Sequence, residues 1–150
     1  MTKEELAISY FKSGYNCSQA VLLAFADELG LDKEFASKIS SSFGGGMGRL
    51  REVCGAVSAM FMVAGGLYGS YDPLDNTAKA NHYALIQDLA QQFKSEAGSI
   101  ICREIIKAQQ NESYIPEERT EEYYAKRVTC AECVGLAAKL TEKLIKEKQL

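Results

Sequence analysis

The chain has 150 residues, of which 47% are hydrophobic and 25% charged, and its formal net charge is −3. This composition suits a single domain spanning residues 1–150, and the absence of a basic block argues against nucleic acid as a partner. The N-terminal stretch is charged and amphipathic and lacks the apolar core of a signal peptide, so we expect a cytoplasmic protein. In that compartment, the five cysteines are expected to be buried thiols, metal ligands or redox groups rather than a disulfide framework.

Polar capping residues begin the first three predicted helices, and they are Thr2, Asn16 and Asp32. The first helix is expected to end near Lys12 and the second at Gly30. The third helix carries apolar residues at four-residue spacing: Phe35, Ile39 and Phe43.

A glycine-rich stretch in the middle of the chain organises the rest. The glycines between Gly44 and Gly48 predict a tight, irregular turn. The apolar run from Val53 to Tyr68 then predicts a central buried helix that begins near Cys54. The run is too short and too rich in glycine to predict a membrane span. In the first turn of that helix, unpaired N–H groups and the positive end of the helix dipole favour a thiolate at Cys54.

The second half of the chain also shows helical periodicity. Asp75 or Asn76 is expected to cap a long helix through about Ser95. Its apolar stripe would contain Ala80, Tyr83, Ala84, Ile86, Leu89, Ala90 and Phe93. A short helix is predicted from residue 99 to about 110, then a mostly polar loop over 111–128 whose charge run reads as a solvated face. The last helix is expected to begin near Thr129 or Cys130.

These elements predict an all-α fold, because no stretch alternates as a strand does. We expect a single-domain helical bundle of about six to eight helices around a central glycine- and alanine-rich helix.

Four cysteines begin predicted helices: Cys17, Cys54, Cys102 and Cys130. A helix N-terminus lowers the pKa of a thiol, so this placement favours thiolates. If the N-termini converge, four thiolates could bind an iron–sulfur cluster or zinc. Zinc is the less favoured metal, because structural zinc sites use close cysteine pairs and the only such pair here is Cys130 with Cys133.

Two further features have less specific interpretations. The Gly44–Gly48 turn could cradle an anion with help from Arg49 and Arg51, but no strand precedes it, and a structural turn is the favoured interpretation. His82 is the only histidine, and a surface or core role is favoured over a ligand role.

The chain resembles the family of redox-active proteins named for its C-GCAxxG-C-C cysteine signature. The resemblance rests on residues 15–21, the 43–49 turn, Val53-Cys54-Gly55-Ala56, the end of that helix at 67–69, residues 99–104 around Cys102, and Cys130 with Val134. It implies a small helical bacterial protein whose signature cysteines are Cys17, Cys54, Cys102 and Cys130. Cys133 stands where the family usually has an aliphatic residue, which favours a core role. The last glycine of the Cys-Gly-Ala-x-x-Gly motif is Ala59 here.

Three functions follow as hypotheses. The first is an iron–sulfur or other metal protein for electron transfer, with the four signature cysteines as ligands and Gly45, Gly46 and Arg49 beside the cofactor. The second is a metal-free thiol–disulfide redox protein, and the third is a helical interaction module with structural cysteines. A redox protein or oxidoreductase is the expected partner, and a homodimer is an open alternative. We expect the four signature sulfurs to lie together, with Cys133 and His82 outside the ligand set.

Overall fold

The computed structural model describes residues 1–107 and 113–149, and it confirms the all-α fold. Within these ranges, nine α-helices follow in chain order: α1 (Lys3–Lys12), α2 (Cys17–Ala24), α3 (Ala26–Leu29), α4 (Lys33–Ser40), α5 (Gly55–Tyr68), α6 (Asn76–Ala97), α7 (Cys102–Ile106), α8 (Glu121–Lys126) and α9 (Val128–Lys148). Six of these have eight residues or more. In the described ranges, strand-like pairing is confined to one bridge between Val53 and Ile101.

The predicted capping residues begin their helices as expected. The Thr2 hydroxyl accepts a hydrogen bond from the Glu5 N–H at 3.1 Å. Asp32 and Asp75 accept in the same way from the third residue of α4 and of α6. Each cap satisfies one of the backbone donors that a helix N-terminus leaves unpaired, so these starts are fixed by local sequence.

The core lies where α5 packs on α2 and where α9 packs on α1 and α2. Eight of the fourteen residues of α5 are buried, and Val57 and Val63 have no exposed surface. Six of the eight residues of α2 are buried, so a larger fraction of α2 than of α5 is enclosed. The central position predicted for the α5 run is therefore shared with α2.

The predictions of which residues are buried on α4 and on α6 are wrong in part. Phe35 and Ile39 on α4 are 52% and 40% exposed, and the buried residues of that helix are Ala36 and Ser40. On α6 only Leu89 and Phe93 of the predicted stripe are buried. Both helices lie outside the α1–α2–α5–α9 core, so only a few residues of each contact it. The spacing of apolar residues in the sequence did not identify which residues these are.

The region before the last helix also differs from the prediction. The segment 111–128 was expected to be mostly loop, but Glu121–Lys126 forms α8, capped by Thr120. The short helix that begins at Cys102 ends at Ile106, where Lys107 adopts a left-handed conformation. Its predicted continuation over 108–110 lies outside the described residues. Each helix in the described part of the chain is too short or too polar to cross a lipid bilayer.

Candidate thiol site

One cavity of about 270 Å³ is lined by all five cysteines, and this is the candidate site. Its wall combines residues from distant parts of the chain: Cys17 begins α2, Cys54 caps α5, Cys102 begins α7, and Cys130 and Cys133 lie in the first two turns of α9. All five are free thiols. The four signature cysteines therefore lie around a common cavity, at or near helix N-termini as the sequence indicated.

Three of the thiols lie close enough to affect one another's pKa. Cys54 raises the pKa of Cys17, and Cys133 raises the pKa of Cys54. Cys133 is a buried core residue, as the sequence indicated, but it also contributes to the cavity wall beside Cys54. Cys133 is predicted to be separate from the other thiols because the family that the chain resembles usually has an aliphatic residue at this position. The structure places it beside Cys54.

A complete capping box positions Cys17. The Asn16 side chain accepts from the Gln19 N–H at 2.9 Å, and the Gln19 side chain accepts from the Asn16 N–H at 3.0 Å. Gln19 also donates to the Ser37 carbonyl at 3.0 Å, which ties the start of α2 to α4. These bonds fix the first turn of α2 and therefore the direction of the Cys17 side chain.

The Val53–Ile101 bridge positions Cys54 and Cys102. The Cys54 N–H donates to the Ile100 carbonyl at 2.8 Å, and the Cys102 N–H donates to the Glu52 carbonyl at 2.6 Å. The two cysteines thus sit on paired backbone segments from distant parts of the sequence. No pattern of strand alternation precedes either cysteine, so the sequence analysis missed this pairing.

The glycine-rich turn has an unusual backbone. Every residue from Gly45 to Arg49 has a positive φ, and Arg51 has one as well. L-amino acids with a side chain adopt this left-handed conformation at about 1–2 kcal/mol per residue, so Met47, Arg49 and Arg51 are strained positions. Backbone hydrogen bonds close the turn, among them the bond from the Arg51 N–H to the Gly45 carbonyl at 3.2 Å.

The same turn touches two of the signature cysteines. The Gly45 backbone lies close enough to Cys17 to lower the pKa of that thiol. A Cβ atom placed on Gly46 would lie 2.6 Å from the Cys102 Cβ, so the Gly46 backbone packs directly on that cysteine. The sequence predicts that this turn packs close to Cys54, whereas the contacts of Gly45 and Gly46 are with Cys17 and Cys102.

The expectation of lowered thiol pKa values is wrong. Donation from the Cys17 thiol to the Cys54 sulfur, and then burial, raise the pKa of Cys17 well above its ordinary value, and the Gly45 backbone opposes this only in part. The hydrogen bond with Cys133, followed by burial, raises the pKa of Cys54. Burial raises the pKa of Cys130 to about 11. Helix N-termini favour thiolates, but here desolvation and neighbouring thiols outweigh that effect.

Cys102 lies beside a buried arginine. Arg51 donates from Nη1 to the Cys102 sulfur at 3.6 Å, and both residues are buried. Burial raises the pKa of Cys102, while the positive charge of Arg51 opposes that increase. Cys102 is therefore a neutral thiol at pH 7 that has a cation at hydrogen-bonding distance.

A single metal ion does not fit the arrangement of the described residues. Among them, no three His, Cys, Asp or Glu side chains are grouped closely enough to hold an ion. His82 is not among the residues that line the cavity. A zinc site of the structural type, with ligands at about 2.3 Å from the metal, would need the sulfurs to move.

The cavity wall also contains four arginines, namely Arg49, Arg51, Arg119 and Arg127. Arg119 belongs to the charged tract that the sequence analysis assigned to a solvated face, and that assignment is wrong for this residue. Its side chain stacks on Phe11 and Tyr123, with the guanidinium carbon 5.0 and 4.7 Å from the ring centroids. The aromatic residues after it in the sequence were the available signal.

Comparison with known protein families identifies a match over most of the chain. The family model described as "Putative redox-active protein (C_GCAxxG_C_C)" matches residues 15–144, a span that contains all five cysteines and the glycine-rich turn. No curated protein and no solved structure matches the chain.

Proposed function

The chain belongs to the C-GCAxxG-C-C family of redox-active proteins, and from that membership we propose that it is a cysteine-based redox protein that works through the thiols of the cavity. One observation carries the proposal: four signature cysteines from four separate helix starts line a single cavity. Buried core cysteines can occupy any apolar face, so this common location favours a shared chemical role over four independent structural ones.

We propose that the group that carries the electron is an iron–sulfur cluster bound by Cys17, Cys54, Cys102 and Cys130. Four soft sulfur ligands are the usual donor set for such clusters, and a cluster distributes its ligands around several atoms rather than one. Metal binding displaces thiol protons, so neutral thiols in the metal-free chain are compatible with this role. Bound there, the cluster would supply one-electron transfer to a redox partner protein or oxidoreductase.

Groups beside the thiols support the same proposal. The Gly45 N–H at Cys17 and the Arg51 guanidinium at Cys102 are donors of the kind that stabilise negative charge on ligand sulfurs. Gly46 allows the turn to approach Cys102, and Arg49 contributes positive charge to the wall. In this proposal, Gly45, Gly46 and Arg49 lie beside the cofactor but do not coordinate its metal.

A metal-free thiol–disulfide function is the second candidate, and the contact between Cys17 and Cys54 favours it. Oxidation would join the two sulfurs and release two protons and two electrons to an acceptor. The raised pKa values count against this candidate, because thiol–disulfide exchange proceeds through a thiolate.

Anaerobic expression and purification test both candidates. The cluster proposal expects iron, acid-labile sulfide and visible absorption, all lost in Cys54→Ser and retained in the matched control Cys133→Ser. Iron-free, colourless protein after anaerobic reconstitution would overturn the cluster. Reversible loss of two thiols on oxidation would then support the thiol–disulfide function. If neither the cluster nor reversible thiol oxidation is found, the helical interaction module is the remaining hypothesis.

A further inference from the structure

The segment 113–120 contributes Arg119 to the cavity wall, and neutral groups hold its guanidinium in place. Nη1 donates to the Phe11 carbonyl at 3.4 Å and to the Tyr124 hydroxyl at 3.5 Å, and Nη2 donates to the Tyr15 carbonyl at 3.2 Å. The faces of Phe11, Tyr123 and Tyr124 also surround the guanidinium. These contacts limit its rotation and fix where its remaining donors point.

The charge of Arg119 has no anionic partner among residues 1–107 and 113–149. Its contacts with described residues are with carbonyls, a phenol and aromatic rings. A guanidinium has five N–H donors, and within the described chain the Nε donor and one Nη2 donor have no acceptor. Arg127 differs, because it pairs with Glu117 at 3.1 Å.

Three further arginines line the cavity. These are Arg49, Arg51 and Arg127, and Glu117 is the one carboxylate among the described lining residues. The charges of Arg51 and Arg127 act on the thiols themselves, since both lower the pKa of Cys102. A positive potential in a cleft with low-dielectric walls concentrates anions.

We propose that the cavity binds a small oxyanion, with Arg119 as its anchor, and that the substrate of the thiol site has such a group. A held guanidinium with unused donors is suited to an oxyanion, because its planar fork matches two oxygens at once. The cavity volume of about 270 Å³ restricts the ligand to a small molecule. The statement about the substrate rests on the proposed redox function, but oxyanion binding itself does not.

Calorimetric titration of the full chain tests the binding. Sodium sulfate, phosphate and acetate are titrated in parallel at constant ionic strength, so that tetrahedral inorganic anions are distinguished from carboxylates. Loss of a charge-assisted bond predicts binding of the preferred anion weakened roughly 10- to 100-fold in Arg119→Gln. The matched control is Arg103→Gln, which removes an exposed arginine that is not among the cavity-lining residues. The control is expected to bind as the unmodified chain does.

Each result decides the proposal. No saturable heat with any of the three anions, or equal binding by Arg119→Gln and the unmodified chain, would overturn it. Equal weakening in both variants would show general charge attraction and would also overturn it. The Cys54→Ser variant separates this proposal from the redox function, since anion binding is expected to survive there even when redox activity is lost.

A second measurement covers the case in which Arg119→Gln does not fold. Iodoacetate is an anion and iodoacetamide is its neutral counterpart, and mass spectrometry gives the alkylation rate at each cysteine. The ratio of the iodoacetate rate to the iodoacetamide rate at Cys102 and Cys130 is expected to be higher in the folded chain than in the urea-unfolded chain. An equal or lower ratio in the folded chain would overturn the proposal.

Discussion

The glycine-rich turn and helix α5 are adjacent in the chain, and they use glycine for different reasons. Gly46 in the turn has a φ of +71°, and an added Cβ would lie 2.6 Å from Cys102 and 2.8 Å from the Arg51 Cα. Gly55 at the start of α5 has an ordinary φ, but an added Cβ would lie 2.6 Å from the Phe43 carbonyl oxygen and 2.7 Å from the Cys17 sulfur. One position therefore needs glycine for conformation and space, and the other for space alone.

Two glycines elsewhere complete this comparison. Gly30 ends α3 with a φ of +66°, and no described atom lies within 4 Å of the Cβ that alanine would add there. Gly65 lies inside α5 with an ordinary φ, and a Cβ there would likewise meet no described atom within 4 Å. Alanine at the four positions thus separates backbone strain from crowding in one protein.

The largest effect is expected for Gly46→Ala. The substitution adds left-handed strain of about 1–2 kcal/mol. The new methyl group would also overlap backbone atoms, which cannot move aside as a flexible side chain can. We expect the free energy of unfolding to fall by about 4 kcal/mol or more, the range that marks a severe packing or backbone defect. Urea unfolding measures it, and a loss below about 1.5 kcal/mol would contradict the crowding at Cys102.

Gly55→Ala is expected to have the next largest effect. The added methyl overlaps the Phe43 carbonyl and the Cys17 sulfur without backbone strain, so a loss of about 2–3 kcal/mol is typical of overpacking. The same urea experiment applies, and iodoacetamide labelling of Cys17 should change because its sulfur must move. Unchanged labelling together with unchanged stability would show that the start of α5 is not packed against Cys17.

Gly30→Ala isolates backbone strain. Since an added methyl there would meet open space, we expect a loss of about 1 kcal/mol from the left-handed conformation alone. Comparing its thermal midpoint with that of Gly46→Ala gives the crowding contribution at Cys102 by difference. A midpoint equal to that of the unmodified chain would mean that the strain is relieved locally.

Gly65→Ala is expected to stabilise the protein slightly. Alanine is favoured over glycine in a helix interior by about 0.5–1 kcal/mol, and the methyl overlaps nothing in the described structure. A small increase in the urea midpoint with an unchanged slope is the expected result. A decrease in the urea midpoint would indicate that the surface at Gly65 packs against a second molecule, as it would in a homodimer.

The local features of this fold could be predicted from the sequence because neighbouring residues determine them. Asn16 and Gln19 fix the start of α2 through bonds to each other. The helix starts at Cys54 and Cys102 have no side-chain cap, and only the glycines that precede them in the sequence indicated where they lie. The positive φ values of Gly45 and Gly46 were also expected from glycine content.

The remaining features depend on tertiary contacts and could not be predicted in this way. Met47, Arg49 and Arg51 adopt positive φ although their side chains disfavour it, because bonds across the turn hold them there. Raised thiol pKa values depend on burial and on thiols distant in sequence, whereas the helix-dipole argument considered only local backbone. Arg119 reaches the cavity from a tract whose composition is that of a solvated surface.

The bridge between Val53 and Ile101 has a consequence for how the protein folds. Helices α5 and α6 lie between its two ends, so the pairing can form only after a long intervening segment has closed. Helix starts at Cys17 and Cys54 can form early, but Cys102 reaches them only through that late, nonlocal step. The amide protons of Cys54 and Cys102, which donate across the paired segments, are therefore natural probes in pulsed hydrogen exchange for the moment when the thiol cavity closes.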